Sequence, residues 1–140
     1  EYIAGQDLRE RMSEQRPGLQ ESLRICLAVA EAVAEARALG HPVLIDFTAD
    51  WCMSCKYTKG KALEVKPVIR KLADIDGVAF LADWTHYDKT ITKVLYSFKR
   101  GGVPLVLVYP PEGEAIVLPP VMSSPGKVLE ALEKAARSDP

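Results

Sequence analysis

Two cysteines, Cys52 and Cys55, with Met53 and Ser54 between them, are the residues of this sequence best suited to chemistry. Exchange between thiols and disulfides needs one thiolate to attack and a second thiol to release the mixed disulfide that results. A three-residue spacing returns to one face of a helix, so the two sulfurs can close a small ring without unfolding the chain. At the start of a helical segment the unpaired backbone N–H groups and the helix dipole favour a thiolate. Cys52 occupies that place and is read as the nucleophile, with Cys55 as the resolving thiol. Met53 and Ser54 are read as residues that help set the potential of the pair.

The same spacing is also half of a zinc site. Zinc in a closed structural site takes four protein ligands, and the remaining soft or imidazole donors, Cys26, His41 and His86, form no second paired motif. A redox pair is therefore preferred, with no metal ligand set and no small-molecule cofactor. Three cysteines are too few for a disulfide scaffold, and Cys26 is read as a small core residue.

Three further features surround the pair. Asp46 lies six residues before Cys52 inside an apolar run, where burial penalises a charged carboxylate and pushes it toward the protonated form. It is read as an acid–base group for the Cys55 proton; a structural hydrogen bond to nearby backbone is the alternative. Asp50 is close to the thiols, and its negative charge opposes thiolate formation. In Gly102-Val103-Pro104 an X-Pro bond enters a strand. If cis, it would present the Val103 backbone to an extended peptide, although spacing alone favours trans.

The elements that must position these residues follow from periodicity. With 140 residues, 48% of them apolar and 26% charged, the chain suits one globular domain. Its 18 basic and 19 acidic residues leave a formal charge of −1, which offers no attraction for nucleic acid. No apolar run approaches the roughly 18 residues of a membrane span. The opening residues lack the pattern of a secretory signal, so location is not read from them. Residues 1–18 are polar and end at Pro17-Gly18, an arm or linker, and 19–140 form the domain.

Between Gln20 and Leu39 apolar residues recur at helical spacing, with Gly40 where a C-terminal cap belongs. Residues 42–48 read as a central strand buried on both faces. Residues 56–63 are helix-compatible despite Gly60, and Pro67 opens a further helix to about Ala73. Asp76-Gly77 turns into a strand over 78–82, and Ile91 to Phe98 mark a helix ended by Gly101-Gly102. Strands at 105–109 and 115–118 flank a Pro-Glu-Gly-Glu turn, and Pro125 opens a final helix. The order is an N-terminal helix, then βαβα and ββα, which suggests an α/β fold with a mixed central sheet covered by helices on both faces.

The run from Asp46 to Lys56, DFTADWCMSCK, followed far downstream by Gly102-Val103-Pro104, resembles the thioredoxin superfamily. More narrowly, FTADWCxxCK, the later Ala82-Asp83-Trp84-Thr85 and Gly102-Val103-Pro104-Leu105 before Tyr-Pro-Pro resemble the C-terminal domain of the bacterial transmembrane reductase DsbD. Among DsbD-type domains they resemble the variant in ScsB-type copper-tolerance proteins. The resemblance covers about residues 40–136. It implies a thioredoxin fold, a cis Pro104 and Asp46 as the buried acid. It also implies a periplasmic protein-disulfide reductase that takes electrons from a membrane-embedded cysteine pair, on its own or another chain. Those electrons would pass to a disulfide-bearing protein or domain docking around Trp51, Cys52 and Val103. Two departures stand out: Met53-Ser54 replaces the Gly-Pro of thioredoxins, and 78–83 lacks the lysine thioredoxins place near the buried acid. A binding module using the same thiols to hold copper or a client polypeptide is the rival reading.

Overall fold

The computed structural model describes residues 31–137. The 1–18 arm and Cys26 therefore lie outside the described residues, as does the first part of the helix expected from Gln20. Its final turns, α1 over 31–38, end where expected. Gly40 has φ +87°, and two hydrogen bonds close the turn: Gly40 N–H to Arg37 O at 3.0 Å and His41 N–H to Ala36 O at 2.9 Å. Only glycine adopts this left-handed conformation without cost.

The remaining elements are β1 (Val43–Thr48), α2 (Met53–Thr58), α3 (Lys66–Asp74), β2 (Val78–Asp83), α4 (Lys89–Ser97), β3 (Leu105–Tyr109), β4 (Ile116–Val117) and α5 (Gly126–Arg137). The four strands form one sheet in the order β2-β1-β3-β4. β1 runs parallel to β2 and antiparallel to β3, and β3 runs antiparallel to β4. This is the mixed sheet expected.

All six residues of β1 are buried, because helices cover both sheet faces. On one face Leu44, Ala79, Val106 and Val108 pack with Leu63, Leu72, Val128 and Leu132. On the other, Val43, Ile45, Phe47, Phe80, Leu105 and Leu107 pack with Ala36 of α1 and with Ile91 and Leu95 of α4. Each fully buried leucine contributes about 2 kcal/mol of transfer free energy. Alternation along β1 puts Asp46 on the same side as Leu44, among the side chains that face α2, α3 and α5. There a charged-pair clasp ties two of these helices, Lys71 of α3 donating to Glu133 of α5. That hydrogen bond and the lysine's charge hold the Glu133 carboxyl below the usual carboxylate range.

Two local expectations are corrected. The segment read as helical over 56–63 begins at Met53 and changes character at Lys59: Lys59–Leu63 is a π-helical turn, in which Glu64 N–H reaches back to Lys59 O at 2.7 Å. Such turns admit an extra residue per turn. Gly101-Gly102 does not end α4, because the helix closes earlier. Phe98 is its cap and Lys99, at φ +58°, reverses the chain. Gly102 serves another purpose, since a Cβ there would sit 3.1 Å from Trp84 Cζ3.

Candidate active site

The strand-to-helix junction after β1 carries the thiol pair. Cys52 is the N-cap of α2, with φ −92° and ψ 103°, one position before the first helical turn where it was expected. Its backbone is anchored on both sides by Cys52 N–H to Ala49 O at 3.1 Å and Lys56 N–H to Cys52 O at 3.2 Å. The Cys55 N–H donates to Cys52 Sγ at 3.2 Å, the hydrogen bond that would stabilise a thiolate there once the pair is reduced. Ser54 Oγ lies 3.5 Å from the same sulfur. Cys52 and Cys55 are joined as a disulfide with Cα atoms 5.3 Å apart. Cys52 is 6% exposed and Cys55 1%, so an incoming partner meets Cys52 first.

The loop before Val103 comes back over this pair. Val103 packs against the buried cluster of Ala49, Cys52 and Cys55, and the Val103–Pro104 peptide is cis, as the resemblance implies. Met53 is 76% exposed and Trp51 48%, so a rim of large apolar side chains borders the sulfurs. Asp50 is exposed as well, and water screens its charge from the pair.

What holds the rim in place was not legible in the sequence. Ala82-Asp83-Trp84-Thr85, quoted above only as a likeness, works as a brace at the end of β2. Asp83 Oδ1 accepts from Thr85 N–H at 2.9 Å and from the Thr85 hydroxyl. Thr85 Oγ1 in turn accepts from Asp50 N–H at 2.9 Å, and Thr85 O accepts from Trp51 Nε1 at 3.0 Å. Trp84, buried below, donates from Nε1 to Thr92 Oγ1 at 2.8 Å. Trp51 stacks on Tyr87, centroids 5.6 Å apart and planes at 22°, and Tyr87 meets Trp84 edge-on at 4.9 Å. The signal available beforehand was Asp-x-Thr at a strand end, a common turn pattern. It does not say which loop such a turn holds.

Asp46 is buried, 3% exposed. Across the sheet it is in register with Leu81 and Val106. Lys59, at the start of the π turn, brings Nζ to 3.8 Å from Asp46 Oδ2, and its own N–H bonds back to Cys55 O and Lys56 O. Nothing in the sequence singles out Lys59 for this place. Its spacing of four from Cys55 was the available clue, diluted by Lys56 and Lys61 nearby. Among the described residues no group of three or more His, Cys, Asp or Glu is placed to hold a metal ion, and no helix is long and apolar enough to cross a membrane.

The sequence pattern of the thioredoxin-like family matches residues 24–111. The thiol:disulfide interchange protein DsbD 1 of Pseudomonas aeruginosa is 33% identical over 98 residues, which is 70% of this chain and 16% of that protein. DsbD of Ralstonia nicotianae is 36% identical over 85 residues, 61% of this chain and 14% of that protein. The chain thus spans less than a fifth of the length of these curated relatives. In three dimensions it is similar to the oxidised C-terminal domain of DsbD from Neisseria meningitidis. The TM-score is 0.65 at 27% identity, covering 78% of this chain and 94% of that one.

Proposed function

The chain belongs to the thioredoxin-like family, and from that premise we propose that it is a protein-disulfide reductase domain of the DsbD type, working through Cys52 and Cys55. Its chemistry is thiol:disulfide oxidoreduction. The observation that carries this reading is the pair itself: a disulfide capping a helix, with the Cys55 N–H on Cys52 Sγ and Val103, before a cis proline, packed against the cluster of Ala49, Cys52 and Cys55.

In the reduced domain, the Cys52 thiolate attacks one sulfur of a partner's disulfide. A bond forms between Cys52 and that sulfur, the partner's S–S bond breaks, and the partner's other sulfur leaves as a thiolate. Cys55 then gives up its proton, with Asp46 as the acid–base group, and attacks Cys52 Sγ. The mixed disulfide breaks, the second partner sulfur leaves, and the domain holds the Cys52–Cys55 disulfide. Two electrons have passed to the partner, whose two thiolates take up protons from the medium and from the Asp46 carboxyl that received the Cys55 proton, and a dithiol donor must return the electrons. In this reading the donor is a cysteine pair embedded in the membrane, on the same or another chain, and the domain works in the periplasm. The similarity to DsbD supports this finer reading.

Partners dock on the rim of Trp51, Met53, Ser54, Val103 and Pro104. Exposure of Trp51 and Met53 and the packing of Val103 against the cluster that holds both cysteines support that assignment. Asp50, exposed beside the pair, opposes the thiolate only weakly, because water screens its charge. To test the function, the protein is equilibrated in glutathione buffers of graded potential, with Trp51 fluorescence and thiol trapping as readouts, in wild type and Cys26→Ser. A single two-electron transition, unchanged by that substitution and nearer the roughly −270 mV of thioredoxin than the roughly −120 mV of DsbA, is expected. Absence of a reversible transition would refute the proposal.

A further inference from the structure

A charge left inside a sheet must be compensated or it destabilises the fold. Here the strand that thioredoxins use for that purpose offers nothing: β2 reads Val-Ala-Phe-Leu-Ala-Asp, and Leu81 is the residue in register with Asp46. On the other side β3 presents Val106. Lys71 and Glu133, on the helices covering this face, are joined to one another. The cation near Asp46 comes from a different element, the turn that follows the thiol helix. Lys59 Nζ stands 3.8 Å from Oδ2, with the lysine side chain 16% exposed and the aspartate side chain 4%.

That placement is built rather than incidental to a mobile surface side chain. The Lys59 N–H is bonded to Cys55 O, and its carbonyl accepts the i→i+5 bond of the π turn. The base of the side chain is thus fixed one turn from the resolving cysteine, and its tip reaches the buried acid. With little water between them, the attraction is far stronger than for a surface pair.

We propose that Lys59 is a positioning residue for the second half of the exchange: its ammonium holds the Asp46 carboxylate ionised, as the acceptor for the Cys55 proton when the mixed disulfide is resolved. This rests on the reductase reading above. In the step itself the proton moves from Cys55 Sγ to a carboxylate oxygen of Asp46 and the Cys55 thiolate bonds to Cys52 Sγ. The partner's thiolate then departs with the electron pair of the broken S–S bond.

An aromatic disulfide that releases a coloured thiolate separates the two halves. Reduced protein, mixed with it in a stopped-flow instrument, releases one thiolate on attack by Cys52 and a second on resolution by Cys55. Lys59→Met should leave the first phase unchanged and slow the second by about tenfold, part of the 10²–10⁴ that a general base supplies. Lys59→Arg should restore the second phase, and Lys59→Met added to Asp46→Asn should slow it no further. Lys59→Gln carries the comparison if the methionine variant loses its near-UV circular dichroism. The proposal is overturned if the second phase stays within about twofold of wild type in the Met and Gln variants, an effect too small for a lost general-base contribution. It is also overturned if Arg is as slow as Met, or if the slowing persists in full beside Asp46→Asn. Wild-type protein that shows no second phase would instead refute the reductase reading.

Discussion

Removing one oxygen from Thr85 should loosen the thiol loop without touching a sulfur. Thr85→Val keeps the shape of the side chain but deletes the hydroxyl that accepts from Asp50 N–H at 2.9 Å and donates to Asp83 Oδ1. Asp50 is exposed, so its amide finds water and that loss costs only about 0.5 kcal/mol. The bond to the carboxylate is charge-assisted and partly buried, and its loss costs about 1.5 kcal/mol. The sum, about 2 kcal/mol, should lower the melting temperature by roughly 8 °C in a domain of this size. Trp51 Nε1 bonds to the Thr85 carbonyl, which the substitution retains, so the rim is weakened rather than lost. Thermal unfolding of oxidised protein, paired with reductase turnover on a protein disulfide, measures both effects. Thr85→Ser, which keeps the hydroxyl, should recover most of the stability and turnover. A valine variant as stable as wild type, or a serine variant no better than valine, would refute the assignment of Thr85 as the brace.

Tyr87→Ala removes the ring stacked on Trp51, an interaction of the order of 1 kcal/mol. kcat/KM for a protein disulfide should fall about fivefold, in line with that energy, while the rate with a small disulfide is unchanged; an equal fall in both would count against a docking role. The α3–α5 clasp should respond to acid. The Glu133 carboxyl is held low in the folded protein, first by its hydrogen bond from Lys71, so this contribution is fully present above the unfolded glutamate range of about 4.3. It is lost as pH falls through the lower folded value. Urea midpoints at descending pH should therefore show wild type losing its advantage over Glu133→Gln, and a difference independent of pH would show that the clasp does not act through this charge.

The site is economical in how it uses the fold. β1 delivers the chain to the helix N-terminus, the end of β2 folds under Trp51, and the loop before β3 packs Val103 against the cluster that holds the cysteines. Each of these three junctions lies at the same end of the sheet, the carboxyl end of parallel strands β1 and β2 and the entry to antiparallel β3. That follows from strand direction alone once the topology is set, and α/β sheets commonly place reactive groups at such an end.

Much of this was determined by the sequence alone. Cys52-Met53-Ser54-Cys55 after a β-rich apolar run points to a redox pair at a strand-to-helix junction, because thiol chemistry suits that spacing and Cys26, His41 and His86 form no second paired motif in the sequence. The order of elements follows from periodicities of two and 3.6 residues, which are local properties. Asp46 stood out because a single acid in an apolar strand is conspicuous. Other features were decided only by the packing. A lysine in a row of lysines shows nothing of which one points inward, and the π turn that starts at Lys59 is a deviation that no periodicity announces. The Thr85 brace joins residues 35 apart in the chain, and α4 ends at Ser97, capped by Phe98, rather than at the glycines, with Lys99 reversing the chain at a positive φ. Local chemistry is written in short spacings, whereas the partner of a buried charge and the acceptor of a loop's amide depend on which surfaces meet after the chain has closed.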